Sequence, residues 1–254
     1  MKIHHLRNAT FVIENEGKYI LIDPMLGKKG TLSPFTLFRF KPRKNPLVEM
    51  PKNSHAVLEK VTHCLITHLH SDHLDKEGEK FLTERDIPVI CSVKDKKHLQ
   101  KKGLSVFQSL DYWKEEDFSG GKIIGIPAKH GYGFIAKPMG NVMGFYLKFT
   151  LGESIYISAD TIYTEHVDKV LKELKPDLSV LACGGAQLDL GKPLLMNMQD
   201  IIQFIKNAPG KVFANHLQAL NHCPITRIQL IDELIKYSLT EKVFVPEDGE
   251  IIIH

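Results

Sequence analysis

Apolar residues fall along this chain in short runs of two periods. Runs at 3–6, 10–14 and 18–23, rich in Ile, Val, Phe and Tyr, predict β-strands. Asn15-Glu16-Gly17 between the last two is a hairpin signal. Residues 24–54 break the rhythm: Pro, Gly and Lys dominate, with Phe35, Leu37, Phe38 and Phe40 interleaved. So long a loop in a compact domain is either functional or disordered, and the aromatics favour an ordered active-site lid. From residue 61 the pattern alternates. Strands are predicted at 61–67, 88–91 and 122–127, with helices at 76–83 and 94–101. Strands at 142–150 and 154–158 follow, then an amphipathic helix over 164–174 that Pro176 stops. Strands at 178–182 and 211–214 bracket a helix at 198–206. A last helix at 226–237 precedes strands at 242–245 and 250–253. No linker splits the chain, so one domain over 1–254 is expected, with mixed strands and helices in α/β layers.

Composition narrows the function classes. The chain has 254 residues, 43% hydrophobic and 25% charged, the balance of a globular protein. A net charge of only +3 argues against a dedicated nucleic-acid binder. No apolar stretch is long enough to span a bilayer, and the polar start Met1-Lys2-Ile3-His4-His5 lacks a signal-peptide core. Cys64, Cys91, Cys183 and Cys223 form no C-x-x-C pair and read as small buried residues in a reducing compartment. A cytoplasmic protein without integral membrane association is the expectation. It would act on a small molecule, bind no nucleic acid, and leave homo-oligomer formation open.

The 13 histidines change the picture. Thr67-His68-Leu69-His70-Ser71-Asp72-His73 directly follows an apolar strand. Composition alone would produce H-x-H-x-D-H in about one chain in 500 of this make-up. In an extended segment alternate side chains share a side, so His68 and His70 can reach one ion. A turn then lets Asp72 and His73 face a second. Imidazole with carboxylate suits Zn²⁺, Mn²⁺ or Fe²⁺ and is poor for Ca²⁺.

The motif resembles that of the metallo-β-lactamase superfamily, and further motifs follow in the family's order. Leu21-Ile22-Asp23-Pro24 resembles the first, His130 after Ile124-Gly125-Ile126-Pro127 the third, Asp160 in Ser158-Ala159-Asp160-Thr161 the fourth, and His216 after Val212-Phe213-Ala214 the fifth. The opening Asn8-Ala9-Thr10-Phe11-Val12-Ile13 is similar to ascorbate-6-phosphate lactonase-like and N-acylphosphatidylethanolamine phospholipase D-like proteins. The resemblance implies an α+β fold, a four-layer αβ/βα sandwich with metal loops at one edge. It implies that His68, His70 and His130 hold one ion, that Asp72, His73 and His216 hold another, and that Asp160 bridges them, with Asp23 behind the imidazoles.

Plainer readings stand beside these. A lone histidine after a strand, such as His130, is ordinarily a surface or packing residue. Asp160 has the placement of a cap for the helix near Thr164. His216 has a rival in His222, which otherwise lines the pocket or caps the next helix. His4, His5, His55, His63, His98, His166 and His254 show no partner pattern. Arg39, Lys41, Arg43 and Lys44 read as a solvated loop, or as an anion subsite if they reach the centre. Gly184-Gly185-Ala186 is expected to let the backbone approach it closely.

The implied chemistry is hydrolysis of a small phosphodiester or a lactone or ester by hydroxide generated between two ions, Zn²⁺ or Mn²⁺, with Fe²⁺ also compatible. Asp72, Asp160 and His222 are the candidate catalytic groups. No G-x-S-x-G elbow suggests a serine nucleophile. The alternatives are an iron-dependent oxidoreductase on the same fold and a non-catalytic metal-binding sensor.

Overall fold

Alternating side chains give each strand two faces, and here both are covered. The computed structural model describes residues 1–254. Its first half contains β1 (Lys2–Arg7), β2 (Thr10–Asn15), β3 (Lys18–Ile22), α1 (Ser54–Leu58), β4 (His63–Leu65), α2 (Lys76–Glu84), β5 (Val89–Ser92), α3 (Lys96–Lys101) and β6 (Val106–Leu110). The second contains β7 (Glu115–Phe118), β8 (Gly121–Pro127), β9 (Met143–Lys148), β10 (Ser154–Ile157), α4 (Glu165–Lys169), β11 (Leu178–Ala182), α5 (Met198–Asn207), β12 (Lys211–Asn215), α6 (Arg227–Lys236), β13 (Val243–Phe244) and β14 (Ile251–Ile253).

Two seven-stranded sheets result, ordered β14-β1-β2-β3-β4-β5-β6 and β13-β12-β11-β10-β9-β8-β7. Ile3, Phe11, Ile13 and Ile22 of the first pack against Ile123, Phe145, Ile155, Val180 and Phe213 of the second. On the outer face of the first sheet, Val12, Leu21 and Val89 meet Val57, Leu82 and Leu99 of α1 to α3. On that of the second, Ile124, Leu181 and Val212 meet Val167, Phe204 and Leu230 of α4 to α6. Helix, sheet, sheet and helix therefore stack as the expected four-layer αβ/βα sandwich.

Each sheet is antiparallel on one side and parallel on the other. That geometry brings the carboxyl ends of β3, β4, β8, β10, β11 and β12 to one edge, where ligands gather in open α/β sheets. The helix predicted over 164–174 is broken: α4 ends at Lys169 and a π-helical turn, Val170–Leu174, continues it. β6, β7 and α1 were not predicted. The long loop 24–54 leads into α1 and is irregular but closely tied. Arg7, fully buried, donates to the carbonyls of Met25, Gly27 and Val48, and Asp75 accepts from the amides of Leu26 and Gly27 at 3.1 and 2.7 Å.

Candidate metal centre

Six strand ends deliver the site. Asp23 ends β3, the segment 67–73 leaves β4, His130 follows β8, Asp160 follows β10, Gly184 follows β11, and His216 follows β12. Several of these ends bend through the left-handed region, with φ of 46° at Asp23, 57° at Ala159 and 57° at His216. Such conformations are costly for residues with a Cβ and persist where surrounding structure fixes them. Asn8 does part of the fixing: its Nδ2 donates to the Asp72 carbonyl at 3.0 Å, and its own carbonyl accepts from the His216 amide at 2.9 Å. At Gly184 a Cβ would lie 2.2 Å from the His216 carbonyl oxygen, so only glycine permits this approach.

Two groups of donors converge. His68, His70 and His130 form one, and Asp72, His73, Asp160 and His216 form the other, with the donor atoms in each within 4.8 Å of one another. Asp160 lies between them, its Oδ2 being 3.5 Å from His130 Nε2, 3.3 Å from His73 Nε2 and 3.5 Å from His216 Nε2. It does not cap α4, whose N-terminus is capped by the side chain of Thr164. The outward ring nitrogens are held from behind. Asp23 Oδ2 pairs with His73 Nδ1 at 2.8 Å and accepts from Thr67 Oγ1 at 2.6 Å. His68 Nδ1 pairs with Thr67 Oγ1 at 2.9 Å, and His130 Nδ1 with the Leu194 carbonyl at 3.1 Å. Such contacts fix ring orientation and leave the other nitrogen facing the centre.

Cys223 was missed as a site residue. Its Sγ stands 3.4 Å from His216 Nδ1 and 3.9 Å from His222 Nδ1, and the neighbouring imidazoles bring the thiol down to about 7 although burial acts the other way. The only sequence signal was its adjacency to His222.

The donor set fits divalent cations. His73 Nε2, His216 Nε2 and Asp160 Oδ1 are buried with no hydrogen-bond partner, a costly condition unless something else satisfies them. Burial pushes His68 far below and His130 to about 4, so these imidazoles are neutral and free to ligate. Burial also opposes charge at His73, yet Asp160, Asp72 and Asp23 outweigh it and raise that imidazole to about 10. Burial likewise disfavours ionised Asp72 and Asp160, and the surrounding imidazoles overcome it, holding both below the usual carboxylate range. Two buried carboxylates ringed by imidazoles call for positive charge between them.

His222 stands apart from both groups. It lines a cleft of about 200 Å³ with Phe35, His70, Ser71, Asp72, His130, Met139, Leu188 and Leu194. Of the lid aromatics, Phe35 reaches this cleft and packs edge-on against His222, whereas Phe38 is 88% exposed. Arg39 donates to Gln187 and to the carbonyls of Asp189 and Gly191; no residue of the basic run lines the cleft. His4 pairs with Glu14 and His5 with Asp248, at 2.7 and 3.4 Å, away from the centre.

The fold has counterparts among known proteins. The Beta-lactamase superfamily domain matches residues 18–215. UPF0173 protein YddR of Bacillus subtilis (strain 168) is 31% identical over 253 residues, 98% of each chain. A UPF0173 metal-dependent hydrolase of Ruegeria sp. (strain TM1040) is 24% identical over 203 residues, covering 73% of this chain and 74% of that one. The crystal structure of isothiocyanate hydrolase from Delia radicum gut bacteria superposes with a TM-score of 0.90 at 28% identity, over 100% of this chain and 99% of that one. The chain belongs to the metallo-β-lactamase superfamily and, within it, to the UPF0173 family of metal-dependent hydrolases.

Proposed function

We propose that this chain is a dinuclear hydrolase of small, uncharged electrophiles bearing an apolar group, with His68, His70 and His130 holding one ion, Asp72, His73 and His216 the other, and Asp160 shared. Two divalent ions there, Zn²⁺ or Mn²⁺, would lower the pKa of bound water from 15.7 to about 7 and so supply the nucleophile at neutral pH. The chain's own residues do the rest. Phe35, Met139, Leu188 and Leu194 take the apolar group of the substrate and exclude water around it. His222 presents its imidazole to the same cleft, placed to pass a proton to the leaving atom. Asp72, at the cleft floor, is the other candidate for moving that proton.

One observation carries the choice of substrate: no Lys or Arg lines the cleft. A phosphodiester brings a fixed negative charge that such sites ordinarily meet with Arg or Lys. A lactone or ester needs only an apolar wall beside the ions. The likeness to isothiocyanate hydrolase supports a second substrate class, since an isothiocyanate is also small, uncharged and electrophilic at carbon. The four cysteines are all free and buried, in keeping with a reducing compartment. The test is a side-by-side assay of metal-loaded protein on a γ-lactone, an aryl ester, benzyl isothiocyanate and bis-(4-nitrophenyl) phosphate. Turnover of a neutral substrate should exceed that of the phosphodiester at least about tenfold in kcat/KM. The reverse order would overturn the substrate assignment, and O₂ consumption with iron in place of hydrolysis would overturn the reaction class.

A further inference from the structure

The mouth of the cleft carries a rim of exposed apolar and basic side chains. Three segments form it: 35–44 of the long loop, the 3₁₀ turn Gly133–Met139, and 187–192 after β11. They are tied together. The Asp189 carboxylate accepts from the amides of Leu37, Phe38 and Arg39 and from the Thr36 hydroxyl. A Cβ on Gly191 would touch Ile135 at 3.4 Å, joining the second segment to the third. At their tips large apolar side chains stand in water: Phe38 is 88% exposed, Leu190 80%, Phe134 78% and Leu37 52%. Single exposed apolar residues are ordinary, but four on contiguous loop tips call for a partner.

The charge around them says which partner. Arg39, Lys41, Arg43, Lys44, Lys137 and Lys192 lie on these segments and all are exposed. The one acid, Asp189, is engaged by the loop amides. The segments thus hold six cations and one anion, a net +5, while the whole chain is only +3. The rest of the chain is net negative, +3 less +5 leaving −2. A second copy meeting this face through a two-fold axis would set cations against cations. Aromatic and aliphatic tips ringed by Lys and Arg instead match an anionic interface, where the tips enter the headgroup region and the cations face lipid phosphates.

We propose that this rim is a peripheral docking surface for an anionic lipid bilayer, which seats the chain with its cleft mouth toward the membrane. Docking needs no spanning element, and no helix here is long and apolar enough to be one. It is independent of the reaction class.

The experiment is co-sedimentation of the full chain with vesicles of equal parts phosphatidylglycerol and phosphatidylcholine, against phosphatidylcholine alone, with light scattering of the free protein in parallel. Binding should require phosphatidylglycerol and weaken as salt rises. The pair Phe38→Ser with Phe134→Ser, and the triple Lys41→Gln, Arg43→Gln, Lys44→Gln, should each lower partition at least about tenfold. Both variants should keep wild-type turnover of a water-soluble ester, and wild-type melting temperature would show that they fold. Equal binding to both vesicle types, or none to either, overturns the proposal. So does a dimer in solution that the Phe38 and Phe134 changes dissociate, which would assign the patch to a second copy. Loss of docking with turnover intact, or the converse, separates failure of this proposal from failure of the hydrolase reading.

Discussion

The two halves of the centre are built from similar loops yet ask opposite things of a cation. The half made by His68, His70 and His130 offers only imidazoles, and burial holds His68 and His130 neutral. The half made by Asp72, His73, Asp160 and His216 contains two buried carboxylates, and without an ion it draws protons onto its imidazoles. The first half is a ready ligand set; the second is a store of negative charge that an ion would neutralise. Asp160 reaches toward both, its Oδ2 lying 3.5 Å from His130 Nε2 and 3.3 Å from His73 Nε2, so its removal tests whether they form one device.

Asp160→Ala should have the largest effect: loss of both ions by elemental analysis and a fall in turnover of at least about a thousandfold. Two ions retained in that variant would break the idea that the halves share a ligand. His70→Ala and His216→Ala sharpen the comparison from either side. Each should remove about one metal equivalent per chain while sparing the other, with melting temperatures close to wild type. Identical metal loss in both would make the distinction meaningless. Asp23→Asn keeps a hydrogen-bonding group behind His73 but removes its charge, and should weaken metal affinity about 10- to 100-fold in a chelator competition.

The smallest effect is one of pH. In chelated protein His130 has a depressed pKa of about 4, so its contribution to stability is present above about 6.5 and lost as pH falls toward 4. His73 is raised to about 10, so its contribution is present below about 6.5 and lost as pH rises toward 10. The melting temperature of metal-free protein should therefore decline on both sides, with His130→Gln making the acid limb shallower, where His68 also contributes, and leaving the alkaline limb unchanged. Metal uptake should release protons from the carboxylate half and few from the other, measurable by calorimetry in buffers of different ionisation enthalpy. Equal release on filling either half would contradict the charge assignment.

Much of this arrangement was legible in the chain. The segment 67–73 announced itself because one loop carries four donors, and Asp23, His130, Asp160 and His216 each end an apolar run that is plainly a strand. What escaped notice lacked such a pattern. β6 and β7 are the outer strands of their sheets, half-exposed and mixed in polarity, so neither shows a clean alternation. Cys223 was harder, because nothing local distinguishes a thiol that packs from one that touches a ring nitrogen. The destination of the basic run depended on Asp189, some 150 residues downstream of Arg39, a pairing that only the folded chain reveals.

Asn221 has a consequence for how such a protein diversifies. Its amide holds the long loop at four points: Oδ1 accepts from Phe35 N and Asn45 Nδ2, and Nδ2 donates to the carbonyls of Thr36 and Lys41. The loop is therefore clipped on at its rim and base, while the histidines of the two donor groups take their orientation from residues elsewhere. Sequence between the clips can drift, lengthen or be exchanged with little disturbance to the cation cage. A lineage that keeps the clips can try new substrates while the His and Asp cluster stays as it was.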